Sequence, residues 1–148
     1  MINSSNIELP ENEDCAFCAY LRNKRPYTIL SRTTDTATFV TREQRGNPHL
    51  LVLPIRHVAT ILELTDHEAS ALAIEVRNAA RLIDSAYSKQ GIAVWQNNGI
   101  PAGQAINHVH FHVAGTLDGG GTEFGSVEEI SVAETNKIAN RLLNSKLG

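Results

Sequence analysis

The segment His108-Val109-His110-Phe111-His112-Val113 concentrates most of the chemistry this chain can do. In an extended strand, side chains alternate between faces, so the histidines share one face and Val109, Phe111 and Val113 share the other. Neutral imidazole is both a nucleophile and a metal ligand. Stacking such rings for packing alone is costly, because each needs hydrogen-bond partners and their joint protonation is disfavoured. A second group is Cys15-Ala16-Phe17-Cys18. Cys-x-x-Cys is by itself redox-active, metal-binding or incidental. The βαβ setting of a redox dithiol is absent. Two thiolates with two imidazoles would make a closed tetrahedral zinc site. His67 reads as solvated surface, and Trp95 as a core residue rather than a base-stacking one.

These residues need elements to position them. Tyr27–Ser31 and Thr36–Thr41 are rich in β-branched and aromatic residues, and Thr33-Thr34-Asp35 between them suits a hairpin turn. Gly46-Asn47-Pro48 is a break before His49-Leu50-Leu51-Val52-Leu53-Pro54, an apolar run expected as a buried strand. Thr65 to Gln90 is the clearest helix. Thr65 and Glu68 have capping-box spacing, and Ala69, Leu72, Ala73, Val76, Ala79, Ala80 and Ile83 repeat at helical period. Gly91 is placed to take the left-handed stop. Ile92–Gln96 and Asn107–Gly115 read as strands around a turn-rich loop, Asn97–Gly103. Leu117–Gly125 is a glycine-rich loop, and a last helix is expected from Ser131, capped with Glu134, to about Asn144. The sum is an α+β domain with an antiparallel sheet and two helices.

Composition narrows the setting. At 148 residues with 42% hydrophobic side chains, one domain can bury its own core. A net charge of −3 gives no broad footprint for nucleic acid. No apolar run reaches the length of a membrane span. The first ten residues are polar and expected to be loose, and Met1 to Glu8 lacks the pattern of a secretory signal. With only two cysteines, a reducing cytoplasmic home is the simplest expectation.

The histidine segment, completed by Val113 and Ala114, resembles the His-φ-His-φ-His-φ-φ signature of the histidine triad (HIT) family of nucleotide hydrolases and transferases. Asn97-Asn98-Gly99, then Gly103-Gln104, resembles that family's phosphate-binding loop. His49 to Pro54 followed by His57 resembles its central strand, and the Cys15–Cys18 start resembles its zinc-binding, bacterial-type members. The likeness runs from about Cys15 to Gly115, with a C-terminal loop and helix over 116–148 completing a single domain, 1–148. It implies a HIT-like fold with about five strands, a long central helix and a C-terminal helix. It implies cleavage at a nucleoside α-phosphate, with His110 as nucleophile forming a nucleotidyl-histidine that water hydrolyses. His112 would bond a phosphate oxygen or assist the leaving group, Gln104 would orient water, and His49 would steady the triad or simply be a buried histidine. Asn97 and the backbone N–H groups of Gly103, Gln104 and Ala105 would hold phosphate. A structural zinc would sit on Cys15, Cys18, His57 and His108. A homodimer, joined through the long helix and the strand near Ile92, and a purine nucleotide substrate are implied as well. Nucleoside phosphoramidates, dinucleoside polyphosphates and nucleotide sugars share the reactive group, and the first two are the candidate classes.

The chain departs from the pattern where Ala105 replaces a serine or threonine, and after the triad, where Gly115-Thr116-Leu117-Asp118-Gly119-Gly120-Gly121-Thr122 replaces a Pro-Arg or Gly-Gly type ending; this loop is expected to border the substrate. Two other readings stand beside this one. A metallohydrolase could hold a catalytic metal on His108, His110 and His112, but residues two apart lie roughly 6–7 Å apart along a strand, so the third ring reaches poorly. A nucleotide-binding or scaffold protein with little turnover is the other.

Overall fold

The computed structural model describes residues 5–11 and 14–145. A single antiparallel sheet contains β1 (Ile29–Arg32), β2 (Thr36–Val40), β3 (His49–Pro54), β4 (Ile92–Gln96) and β5 (Phe111–Gly115), in the order β1-β2-β3-β5-β4. Its helices are α1 (Ala16–Leu21), α2 (Asp66–Tyr87) and α3 (Val132–Ser145). The architecture is α+β, with the expected five strands, long central helix and C-terminal helix. Expectations for residues 1–4 and 146–148 lie outside the described residues. Among the described residues, no helix is long and apolar enough to cross a membrane.

Strand alternation divides the sheet into two working faces. Leu50 and Val52 of β3, Val40 of β2 and Val113 of β5 pack against Leu72, Ala79 and Ile83 of α2 and Ala139 and Leu142 of α3. Burying one such leucine or isoleucine contributes roughly 1.5–3 kcal/mol. Ala37, Phe39, Leu51 and Leu53 face the other way and pack on Phe17 and Leu21 of α1. Both β2 and β3 are buried along their whole length, which explains why His49–Pro54 is nearly continuous apolar sequence. The first hairpin turns where expected, with the Thr33 hydroxyl accepting from the N–H groups of Asp35 (3.2 Å) and Thr36 (2.9 Å).

α2 begins with the full capping box: Thr65 accepts from Glu68 N–H, and Glu68 accepts from Thr65 N–H. The helix stops earlier than the sequence predicts. It ends at Tyr87, and Ser88, not Gly91, takes the left-handed conformation (φ 49°). Gly91 is already beside the end of β5, where its carbonyl accepts from Thr116 N–H at 3.0 Å. At α3 only half of the expected box forms. Ser131 accepts from Glu134 N–H at 3.1 Å, while the Glu134 carboxylate faces Lys137 at 3.4 Å.

The histidine strand is shorter than its alternation implies. Regular pairing covers Phe111–Gly115, and residues 108–110 leave the β3–β5 ladder. There Val109 N–H donates to Val58 carbonyl and His108 N–H to Ile106 carbonyl, both at 2.8 Å. The chain entering β3 is held by backbone contact at Gly46. A Cβ there would lie 2.4 Å from the Gly115 carbonyl oxygen, so only glycine lets the two strands' ends meet.

Candidate active site and metal centre

The short helix α1 went unread in the sequence; six residues are too few to show a period. Its N-cap is Cys15, whose sulfur accepts from Cys18 N–H at 3.4 Å. This turn brings both sulfurs to the start of the histidine segment. His108 Nδ1 lies 3.4 Å from Cys15 Sγ, 3.7 Å from Cys18 Sγ and 3.2 Å from His57 Nδ1. Cys18 Sγ is 3.5 Å from His57 Nδ1. All four donor atoms fall within 4.8 Å of one another. A tetrahedral zinc with these ligands has edges of about 3.5 Å for sulfur–nitrogen and about 3.3 Å for nitrogen–nitrogen. The donors therefore fit such an ion. His108 Nε2–H donates to the Pro54 carbonyl at 2.8 Å, which leaves Nδ1 as the basic, ligating nitrogen. Burial and the neighbouring Cys15 push the Cys18 thiol up to about 11, so two thiolates here require a cation beside them.

His110 points to different chemistry. Its Nδ1 is 2.7 Å from the His108 carbonyl oxygen. A carbonyl only accepts, so Nδ1 carries the proton and Nε2 keeps its lone pair. Burial lowers the ring's pKa and keeps it neutral. His112 Nδ1 pairs with His49 Nε2 at 2.9 Å, and burial holds these two rings down to about 2 and about 4 respectively. Arg45 contributes to both depressions. His49 Nδ1 meets both a donor, Arg45 N–H at 3.1 Å, and an acceptor, the Glu43 carbonyl at 3.0 Å. The pair can thus hold either tautomer; when Arg45 donates, His112 presents its Nε2–H outward. His49 is both buried and in contact with the triad, so its two sequence readings are not exclusive.

His110 and His112 line a pocket of about 780 Å³, together with His49, Asn97, Gly103 and Ala105. Asn97 braces the loop by donating to the Ala102 carbonyl at 2.7 Å. The expected phosphate cradle is smaller than three N–H groups. Gly103 N–H donates to Ile100 carbonyl (2.9 Å) and Gln104 N–H to Gly99 carbonyl (3.0 Å), both inside the turn at Ile100–Ala102. Of the three, Ala105 N–H is the one without a bond among the described residues. The water-orienting role read for Gln104 also needs correcting. Its side chain is buried, and its amide accepts from Gly99 N–H (2.7 Å) and donates to the carbonyls of Ala59 (2.8 Å) and Ile106 (2.9 Å). Gln104 staples the loop and does not line the pocket.

Several pocket residues escaped sequence reasoning. Trp95 is not core: it pairs with His112 across β4–β5 and stacks on its ring at 4.6 Å and 3°. Phe17 meets His110 edge-on at 5.0 Å. Arg45, Phe124 and Glu129 come from loops with no local signal.

Comparison with known proteins places this geometry. The HIT domain family matches residues 22–118. The hit protein of Bacillus subtilis is 30% identical over 115 residues, covering 78% of this chain and 79% of the relative. An adenosine 5'-monophosphoramidase of Schizosaccharomyces pombe is 29% identical over 99 residues, 67% of this chain and 71% of the relative. Among solved structures, a HIT-like protein of Bartonella henselae involved in cell-cycle regulation superposes with a TM-score of 0.82. It covers 92% of this chain and 98% of its own at 19% identity, and so speaks to the fold. The strand order, the three histidines and these matches agree: the chain belongs to the HIT domain family.

Proposed function

We propose that this protein is a nucleotide hydrolase that cleaves a phosphorus–nitrogen or phosphorus–oxygen bond at a nucleoside α-phosphate, with His110 as the nucleophile. The observation that carries the reading is the 2.7 Å bond from His110 Nδ1–H to the His108 carbonyl, which commits Nε2 of a pocket-lining ring to attack. A bond forms between Nε2 and phosphorus as the bond to the leaving group breaks. His112 offers its N–H to the departing atom or a phosphate oxygen. Asn97 and the Ala105 N–H steady the phosphate. Water then breaks the phosphorus–nitrogen bond, releases the nucleoside monophosphate and restores His110.

Cys15, Cys18, His57 and His108 would hold a zinc ion, which when bound supplies a structural crosslink between α1 and the sheet. A homodimer fits the outer strand β4, an open edge with Val94 half exposed, and Ile74 on the outer surface of α2. The reduced cysteines fit a cytoplasmic setting. Adenosine phosphoramidate is the first substrate to try, given the named relative, and a dinucleoside polyphosphate the second.

The test is direct. Quenching a single turnover in base should yield protein heavier by one nucleotidyl group, on the peptide that contains His108 to His112. Phosphoramidate bonds of imidazole survive alkali. Turnover without adduct would make His110 a general base. Tight nucleotide binding with no product would favour the binding or scaffold reading.

A further inference from the structure

The polar start, expected to be loose, is seated against the molecule from Ile7 to Pro10. Asn6 and Glu8 are exposed, Ile7 and Leu9 are half-buried, and Pro10 is buried. That alternation is the one expected of an extended chain laid along a surface. Ile7 N–H donates to Ser5 Oγ at 3.1 Å, and downstream Phe17 and Leu21 bury α1 against the sheet. The surface under the segment is the turn that leads to Ala105. Ile100 N–H donates to the Glu8 carbonyl at 2.7 Å. A Cβ on Gly99 would lie 2.9 Å from Ile7 Cγ2, and Gly99 also has a φ of 94°, so contact and backbone conformation both call for glycine there.

The turn is thus gripped from two sides. On the inner side Gln104 exchanges two bonds with Gly99 and ties to the carbonyls of Ala59 and Ile106. On the outer side, where the Ile100 side chain is half exposed, the Glu8 carbonyl takes the Ile100 N–H. The same short turn fixes Asn97 through the Ala102 carbonyl and delivers Ala105 to the pocket. We propose that Ile7–Pro10 is a strap that positions the phosphate-binding loop, with Ile7 and the Glu8 carbonyl as its positioning groups. The inference rests on the hydrolase reading and adds to it a segment outside the triad, the loop and the pocket. With the strap seated, Asn97 and the Ala105 N–H meet the phosphate from a fixed place. With the strap lifted, the Ile100 N–H turns to water and the substrate itself must order the turn, a cost that shows as weaker binding.

The experiment uses three full-length variants. Ile7→Asp sets a charge between strap and turn, Ile7→Ala removes the contact with less disturbance, and Ile7→Val keeps the Cγ2 methyl. Hydrogen exchange at the Ile100 amide reads the strap directly. It should be slow in the parent and in Ile7→Val, and at least about tenfold faster in Ile7→Asp. KM for adenosine phosphoramidate should rise about fivefold, the size of one hydrogen bond, in Ile7→Asp and Ile7→Ala. Their kcat should change by less than about twofold, as expected when ground state and transition state lose the same contact. The Kd of adenosine monophosphate should rise by the same factor, and Ile7→Val should keep the parent's values. Because that Kd is read without turnover, its rise supports the strap even if no substrate is hydrolysed. An Ile100 amide that exchanges freely in the parent would overturn the proposal. So would a fast amide in Ile7→Asp with KM and Kd unmoved, which would leave the strap a packing element alone. Weaker binding accompanied by faster exchange throughout the sheet would assign the effect to general loosening, and would overturn it as well.

Discussion

His108 and His110 are two residues apart, the first fully buried and the second half-buried at the pocket, yet they point to opposite trades. His108 gives Nε2–H to Pro54 and turns Nδ1 to the cysteines; His110 gives Nδ1–H to the His108 carbonyl and keeps Nε2 for the pocket. The residue type is the same in both, and so is the method: a backbone carbonyl takes one proton and thereby decides which nitrogen is basic. The difference lies in what waits beside the free nitrogen, two sulfurs and an imidazole in one case and an open pocket in the other. One residue also joins the two centres, since the carbonyl that sets His110 belongs to the proposed metal ligand.

The strongest way to break this contrast is His110→Asn. It should lower turnover at least about a thousandfold. Nucleotide affinity, measured by titration calorimetry, should stay within about threefold. Turnover within tenfold of the parent would remove His110 from the nucleophile's place. On the other side of the contrast, purified protein should hold close to one zinc per chain by elemental analysis. Cys15→Ser with Cys18→Ser should abolish it. Chelation should lower Tm by roughly 10 °C, because binding of the metal is coupled to folding. Protein purified without metal and no less stable for it would leave the cysteines as a plain buried pair.

A smaller effect sharpens the catalytic side. His49 and His112 are held at about 4 and about 2, below their ordinary value of 6.5, because burial disfavours the imidazolium. The unfolded chain therefore binds more protons than the folded one between those limits, and stability rises with pH there. The stabilisation is complete above about 6.5 and is lost as pH falls, toward about 4 for His49 and on toward about 2 for His112, with buried His108, held down to about 4, adding to the same slope. Tm should drop across that window by a few degrees, and His49→Gln should flatten the slope. An equally steep slope in that variant would move the effect to other groups.

Much of this was legible in the chain because it depends on local period. The capping box and apolar repeat of α2, the hairpin turn and the His-x-His-x-His alternation are all short-range patterns. Cys15, Cys18, His57 and His108 do converge as the family resemblance implied. What stayed hidden depends on direction or on distant partners. Gln104 has the right side chain for orienting water, but only the fold reveals that its amide is spent on Gly99, Ala59 and Ile106. The Ser88 stop depends on where β4 must begin, a tertiary demand that overrode the glycine signal three residues later. Arg45 meets Gly125 across 80 positions, and no window of sequence holds both.

Trp95 is the only tryptophan in the chain, and it lies flat on His112 at 4.6 Å. Indole emission from this protein therefore originates at a single spot, against a ring of the proposed catalytic centre. Any ligand that enters beside His112 changes the surroundings of that one fluorophore. The molecule carries a built-in optical gauge of pocket occupancy, usable in stopped flow without labels, and under the proposed function its signal would separate the arrival of a nucleotide from the chemistry that follows.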